Sequence, residues 1–224
     1  MRLTMMSKGH QATTAPAAPR LYLVTPVVDD AAAFADDLSA ALDAGDVAAV
    51  LLRLAPADEH VLINRIKALG TVVQGKGVAL LLDGHADLAA RTDADGAHLT
   101  GIDAFNAALS TLKPQRIAGC GGLTTRHDAM SAAEAGTDYV MFGEPDSAGR
   151  RPAFDAVLER VAWWAEVFQV PCVGYAASFD EFEALANARA DFIVVGDLVW
   201  SDARGAAAAI GAIAQRLAVA EPVQ

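Results

Sequence analysis

Short runs rich in Leu, Val and Ile alternate with longer Ala-rich segments along most of the chain, and this alternation constrains the fold more than any other feature. Short β-branched runs indicate strands, and longer segments of helical period indicate helices packed against them. Eight such units can be counted, which predict strands at residues 21–25, 47–54, 77–82, 95–99, 115–120, 138–143, 171–176 and 191–196.

Repeated strand–helix units favour a parallel sheet, which can be either open and doubly wound or closed into a barrel. Eight units in a chain of 224 residues favour closure, because a barrel buries every strand and leaves no edge. The sequence therefore predicts an α/β fold with a single (βα)8 TIM barrel over residues 20–220. The preceding residues, 1–19, have the Ala, Thr and Pro composition of a linker and predict a disordered tail.

Local signals mark the helix boundaries and the turns that lead into the strands. Oxygen-bearing side chains predict helix starts at Asp30, Thr125 and Ser178, and glycines predict helix ends at Gly45, Gly70 and Gly136. An Asp recurs where a helix turns into a strand, forming a weak internal repeat at Asp95, Asp138 and Asp191.

Composition excludes several classes of function. A formal net charge of −11 gives no basic patch for nucleic acid, and no apolar stretch approaches the roughly 20 residues that a membrane span needs. Cys120 and Cys172 lie far apart and lack the spacing of a zinc or redox pair, which predicts buried, reduced thiols. We expect a cytoplasmic protein, with no nucleic-acid or membrane partner.

In such a barrel the functional groups lie at the carboxyl ends of the strands and in the loops that follow them. The polar side chains at these positions are Thr25, Arg53, Asp83, His85, His98, Asp103, Cys120, Glu144, Arg150, Arg151, Tyr175 and Asp197.

Several segments resemble one known family. The run Leu-Tyr-Leu-Val-Thr at 21–25, Arg53, the segment Asp-Gly-Ala-His-Leu at 95–99 and the segment Asp-Tyr-Val-Met-Phe-Gly at 138–143 are similar to thiamine phosphate synthase and its sister, the thiazole tautomerase. The resemblance spans roughly residues 20 to 215. It implies a barrel that acts in thiamine biosynthesis, joining hydroxymethylpyrimidine diphosphate to thiazole phosphate and releasing pyrophosphate with Mg²⁺.

The resemblance assigns roles to individual residues. Arg53 and His98 are the candidate catalytic residues, and Arg53, His85, Arg150 and Arg151 are the candidates for binding substrate phosphate. Asp83 and Asp103 are the candidate Mg²⁺ ligands, with Asp83 standing beside Gly84, where the family has its carboxylate. The implied partner is a small phosphorylated heterocycle, and a homodimer is left open.

Other family positions have changed. A Gln and a Lys around Arg53 have become Leu51 and Ala55, a Ser after the fifth strand has become Gly121, and the Thr-x-Thr-Lys phosphate loop has become residues 144–151. The Ser of the eighth unit aligns with Asp197, and the tautomerase His falls on Leu123. These changes predict a degraded site with slow synthase activity. The alternatives are a catalytically silent barrel that binds a small phosphorylated ligand or a partner protein, and a different enzyme on the same fold.

Each candidate also has a structural interpretation. Arg53 either binds an anion or forms an ion pair with a carboxylate such as Asp83, and His98 is either catalytic or a core histidine that a neighbouring strand satisfies. His85 either contacts an anion or caps the short third helix. Arg150 and Arg151 form either a phosphate clamp or a solvated turn, and Asp83 and Asp103 are either metal ligands or solvated acids.

Overall fold

The computed structural model describes residues 18–220, and for residues 218–220 it describes the backbone alone. The predicted tail, residues 1–19, lies outside the described residues except for its last two positions.

Eight parallel strands form a closed barrel in which each strand pairs with the next and the last pairs with the first. The predicted (βα)8 TIM barrel is confirmed. The strands are β1 (Arg20–Val28), β2 (Val47–Leu54), β3 (Ala79–Asp83), β4 (Gly96–Thr100), β5 (Ile117–Gly121), β6 (Tyr139–Phe142), β7 (Cys172–Ala176) and β8 (Phe192–Val195).

A helix follows each strand, and two follow the last. They are α1 (Ala31–Asp43), α2 (Glu59–Gln74), α3 (Ala86–Thr92), α4 (Ile102–Leu112), α5 (Arg126–Ala135), α6 (Phe154–Val167), α7 (Phe179–Asn187), α8 (Asp197–Trp200) and α9 (Ala206–Ala220). Among residues 18–220, no helix is both long enough and apolar enough to cross a membrane.

The core has two parts, because alternate residues of each strand point to opposite faces of the sheet. The inner part fills the barrel with side chains that include Tyr22, Leu51, Tyr139, Met141 and Tyr175. The outer, larger part lies between the sheet and the surrounding helices. The barrel interior is therefore packed, and the space that remains along the barrel axis lies at its carboxyl-terminal mouth.

The predicted helix starts are confirmed. The side chains of Asp30, Thr125 and Ser178 each accept a hydrogen bond from a backbone N–H in the first turn of α1, α5 and α7, respectively. Of the predicted helix ends, Gly136 is a left-handed cap of α5 with φ 96°.

Of the other two predicted helix ends, one was displaced by one residue and the other was wrong. The residue that caps α1 is Ala44, one position before Gly45. Gly70 lies buried within α2, which continues to Gln74. A Cβ at position 70 would lie 3.3 Å from Leu80, so this glycine allows close packing of the helix on β3 rather than ending the helix.

The repeated Asp has one role at all three positions. The carboxylate of Asp95 accepts a hydrogen bond from the backbone N–H of Leu80 at 2.7 Å, and Asp138 and Asp191 accept in the same way from Ala118 at 2.7 Å and Cys172 at 2.8 Å. In each case the Asp leads into a strand, and its acceptor satisfies an N–H at the start of the preceding strand. These residues link neighbouring strands at the end of the barrel opposite the mouth, where side chains serve stability in this fold.

We expect Asp191→Ala to lower the free energy of unfolding by about 1–3 kcal/mol, because the N–H of buried Cys172 would lose its side-chain acceptor. Urea unfolding monitored by circular dichroism measures the change. The matched control is Asp36→Ala on the exposed face of α1, which should change stability by no more than about 0.5 kcal/mol. Equal effects of the two substitutions would contradict the role assigned to Asp191.

Candidate functional site

A cavity of about 80 Å³ opens at the carboxyl-terminal mouth of the barrel. It is lined by Val24, Leu51, Arg53, Asp83, His98, Thr100, Met141, Glu144, Pro145 and Tyr175. A larger groove of about 570 Å³ lies outside the barrel between α7 and α9, where none of the candidate site residues line it. Because the strand ends carry the polar side chains, the smaller cavity is the candidate site.

Arg53 is held rigidly at this cavity by β1. Its backbone N–H donates to the Thr25 hydroxyl at 3.0 Å, and its Nε donates to the Thr25 carbonyl at 2.6 Å. Within the described part of the chain, neither terminal nitrogen of the guanidinium has a hydrogen-bond partner, and no carboxylate forms an ion pair with it. The two free nitrogens can therefore bind an anion in bidentate fashion.

The other two candidate arginines are occupied. Arg151 donates to the carbonyls of Gly143 and Tyr175 and forms an ion pair with Glu181 at 2.9 Å, so that it ties the loop after β6 to β7 and α7. Arg150 is exposed and pairs with Asp146 at 2.8 Å within the same loop. Neither lines the cavity.

His98 is 2% exposed and belongs to a chain of buried polar groups that crosses the barrel. Its Nδ1 lies 3.0 Å from the Tyr139 hydroxyl, which lies 2.8 Å from the Tyr22 hydroxyl. Its Nε2 faces Oε1 of Glu144 at 3.5 Å, a distance of charge contact rather than of a good hydrogen bond. If the Tyr22 hydroxyl donates to Tyr139 and the Tyr139 hydroxyl donates to Nδ1 of His98, the proton of a neutral His98 lies on Nε2. That proton then faces the Glu144 carboxylate.

Glu144 carries the buried charge of the site. Both of its carboxylate oxygens are shielded from solvent and lack a hydrogen-bond partner among residues 18–220. The carboxylate rests on the bare backbone of Gly121, since a Cβ at that position would overlap it. The Ser-to-Gly change noted in the sequence therefore makes room for this side chain.

The surroundings of this site shift the pKa values of His98 and Tyr139. Burial alone would lower the pKa of His98, but the charge and contact of Glu144, together with the charge of Asp83, outweigh burial and raise that pKa above its ordinary value. Burial raises the pKa of Tyr139 well above its ordinary value, and the neighbouring Tyr22 and the two carboxylates add to the shift. Both phenols are therefore neutral donors at physiological pH.

The remaining candidates lie around the mouth. Asp83 is half-buried in the cavity wall, and its backbone pairs in register with His98. Asp103 is exposed in the first turn of α4, at the same end of the barrel but outside the cavity wall. His85 occupies the cap position of α3, but its side chain makes no capping hydrogen bond. Across residues 18–220, no three His, Cys, Asp or Glu side chains gather as a metal site.

Cys120 and Cys172 are free and buried, as predicted. Burial raises the pKa of each thiol to about 12, so neither is a nucleophile at neutral pH.

Comparison with known proteins adds evidence that is independent of this geometry. The model of one family, described as thiamine monophosphate synthase, matches residues 21–199.

The chain belongs to the thiamine monophosphate synthase family. A thiamine-phosphate synthase of Rhodospirillum centenum is 40% identical over 194 residues, which cover 85% of this chain and 94% of that protein. A thiamine-phosphate synthase of Hyphomonas neptunium is 35% identical over 201 residues, covering 86% and 91%. The resemblance seen in the sequence is thereby confirmed.

Solved structures agree on the fold. A thiamine phosphate pyrophosphorylase from Pyrococcus furiosus superposes with a TM-score of 0.72 at 21% identity, covering 88% of this chain and 94% of that one. A 3-hexulose-6-phosphate synthase superposes with a TM-score of 0.67 at 14% identity, covering 88% and 99%. At such identities the likeness shows the shared barrel and no more.

Of the site residues assigned through the family, Arg53, Asp83 and His98 line one cavity, whereas His85, Asp103, Arg150 and Arg151 do not. Sequence reasoning missed the partners of His98, which are Tyr22, Tyr139 and Glu144. The two tyrosines were identified only as parts of strand motifs, and Glu144 only as one of the polar side chains at the strand ends. The signal for Glu144 was present, because its acid side chain directly follows a strand and coincides with the loss of a side chain at Gly121.

We expect stability to fall as pH rises from below 6.5 through the raised folded-state pKa of His98. Because the folded-state pKa of His98 is raised above 6.5, its contribution is fully present below 6.5 and is lost as pH rises through the folded value. In Glu144→Gln, burial prevails and lowers that pKa, so the contribution of His98 should change sign and increase with pH. Urea unfolding of both proteins across this range measures the difference, and parallel pH profiles would contradict the coupling.

Proposed function

We propose that the chain is a thiamine-phosphate synthase that holds the diphosphate of its pyrimidine substrate through Arg53 and turns over slowly. The family and the names of its relatives support synthesis of thiamine phosphate. The resemblance in the sequence implies that hydroxymethylpyrimidine diphosphate and thiazole phosphate are joined and that pyrophosphate is released. The leaving pyrophosphate gathers negative charge, so the site must offer fixed positive groups where that charge develops.

The observation that carries this proposal is the state of Arg53. It is the arginine in the cavity wall, Thr25 fixes its Nε, and its terminal nitrogens are open toward an anion. A guanidinium fixed in this way is preorganised, and little side-chain entropy is lost when it binds phosphate. Arg150 and Arg151 are less suited to this task, because their nitrogens already serve Asp146 and Glu181.

The reaction implied by the family uses Mg²⁺, and the donors present match such an ion in kind. Asp83 and Asp103 offer carboxylate oxygens at the same end of the barrel. Mg²⁺ is commonly held by one or two carboxylates together with waters and substrate phosphates, so these two residues would hold it jointly with the diphosphate. When bound, the ion would neutralise part of the charge on the leaving group.

The same cavity explains why turnover should be slow. A Lys and a Ser that the family uses as donors are replaced by Ala55 and Gly121, and the acid Glu144 lies over the second of these positions. Loss of a preorganised donor costs on the order of a hundredfold in rate. A barrel that binds the ligand without turnover is the alternative, and the assay below distinguishes the two.

Supplied with hydroxymethylpyrimidine diphosphate, thiazole phosphate and Mg²⁺, the purified protein should form thiamine phosphate with a kcat well below about 1 s⁻¹, the lower end of ordinary enzyme turnover. Formation of thiamine phosphate can be followed by fluorescence after oxidation to the thiochrome. A kcat at or above that value would contradict the slow site, and no product at all would contradict the synthase proposal.

Arg53→Ala should weaken the binding of pyrophosphate about 10- to 100-fold, because two charge-assisted hydrogen bonds are lost, and Arg53→Lys should recover part of the affinity. Calorimetric titration with pyrophosphate and Mg²⁺ gives the dissociation constants. Arg150→Ala is the matched control and should change affinity by no more than about twofold, since that side chain is exposed and paired with Asp146. A larger loss of pyrophosphate affinity in Arg150→Ala than in Arg53→Ala would contradict this assignment and place the anion site in the loop after β6.

A further inference from the structure

The carboxylate of Glu144 is the group at the barrel mouth whose bonding is incomplete. Neither oxygen has a donor within the described part of the chain, and His98 approaches one oxygen only to 3.5 Å. A buried carboxylate without donors is destabilising and is rarely kept unless something supplies them. Gly121 and His98 occupy two of its sides, and the cavity that Glu144 also lines is the side from which a ligand could approach.

The lining and the volume of the cavity limit which ligands can carry that donor group. Its lining combines polar side chains with the apolar surfaces of Leu51, Met141 and the ring of Tyr175, and a flat aromatic group with polar edges can contact both. The volume of about 80 Å³ is roughly half of the 150 Å³ that holds benzene in an engineered apolar cavity. One edge of a flat ring can therefore enter, while the rest of the ligand extends toward the open mouth.

A hydrated cation fits this space less well. Mg²⁺ keeps several of its six ligands as waters, and each water takes about 30 Å³. The cavity holds about two or three such waters, so a hydrated ion does not fit beside Glu144 within it. A neutral N–H group needs no hydration shell and can donate directly to a carboxylate.

We propose that Glu144 determines substrate specificity by accepting a hydrogen bond from an amino group on the edge of a flat, nitrogen-containing ring. Arg53 lines the same cavity and takes the anionic substituent of that ligand, so the site distinguishes a donor end from an anionic end. The choice of ring rests on the proposed function, in which the substrate is an aminopyrimidine diphosphate. The position of Glu144 against Gly121 is the feature of this chain that creates the acceptor.

The test uses the free aminopyrimidine alcohol, which lacks the diphosphate, and its counterpart with hydrogen in place of the amino group. In calorimetric titrations the full-length wild-type protein should bind the amino compound at least about tenfold more tightly, as expected for a hydrogen bond to a charged acceptor. Glu144→Met keeps the length of the side chain without its charge and should reduce this preference to below about twofold. Arg150→Ala is the control and should keep the preference, because that side chain is exposed, pairs with Asp146 and lies outside the cavity.

Gly121→Ala provides a second variant that leaves the charge of Glu144 intact. Its added Cβ displaces the carboxylate, so it should also lower the preference for the amino compound. This variant decides the matter if Glu144→Met does not show a cooperative thermal transition. Equal binding of both compounds to the wild-type protein would overturn the proposal, as would binding of MgCl₂ alone that is lost in Glu144→Met.

Binding of the free alcohols requires neither thiazole phosphate nor turnover. A Glu144-dependent preference without thiamine phosphate formation would uphold the specificity role and contradict the synthase proposal. Turnover without such a preference would uphold the synthase proposal and contradict the specificity role of Glu144.

Discussion

Closure of the parallel sheet is the constraint on which the rest of the structure depends. Because all eight strands run in the same direction around one barrel, their carboxyl ends meet at a single rim, and residues far apart in sequence become the walls of one cavity. The opposite rim is built for stability, where three Asp carboxylates accept N–H groups of the preceding strands. Side chains that stabilise the fold therefore lie at one end of the barrel, and the candidate site lies at the other.

At the functional rim, the site is organised around a cation and an anion. Arg53 is fixed by Thr25 with two nitrogens free, and Glu144 is packed on Gly121 with two oxygens free. His98 lies against the acid and is anchored through Tyr139 and Tyr22, so the buried polar groups support one another rather than being satisfied separately. Opposite charges with unused hydrogen-bonding capacity suit a ligand that has both a donor edge and a phosphate.

The sequence was sufficient for the fold because strand and helix periods alternate without ambiguity, and because caps such as Thr125 have local signatures. It was less informative about strand starts, since residues such as Asp138 use their side chains on a neighbouring strand before their own strand begins. The site was predicted only in part. Strand-end position located Arg53 and His98, but the occupation of Arg151 by Glu181 and the contact of Glu144 with Gly121 depend on distances that no linear pattern contains.

The most direct test of this account is a crystal structure of the protein with hydroxymethylpyrimidine diphosphate. The account predicts phosphate oxygens within hydrogen-bond distance of the terminal nitrogens of Arg53, and the amino group of the ring within hydrogen-bond distance of a Glu144 oxygen. A diphosphate held instead by Arg150 and Arg151, or a ring that lies outside the cavity with Glu144 still unpartnered, would contradict it.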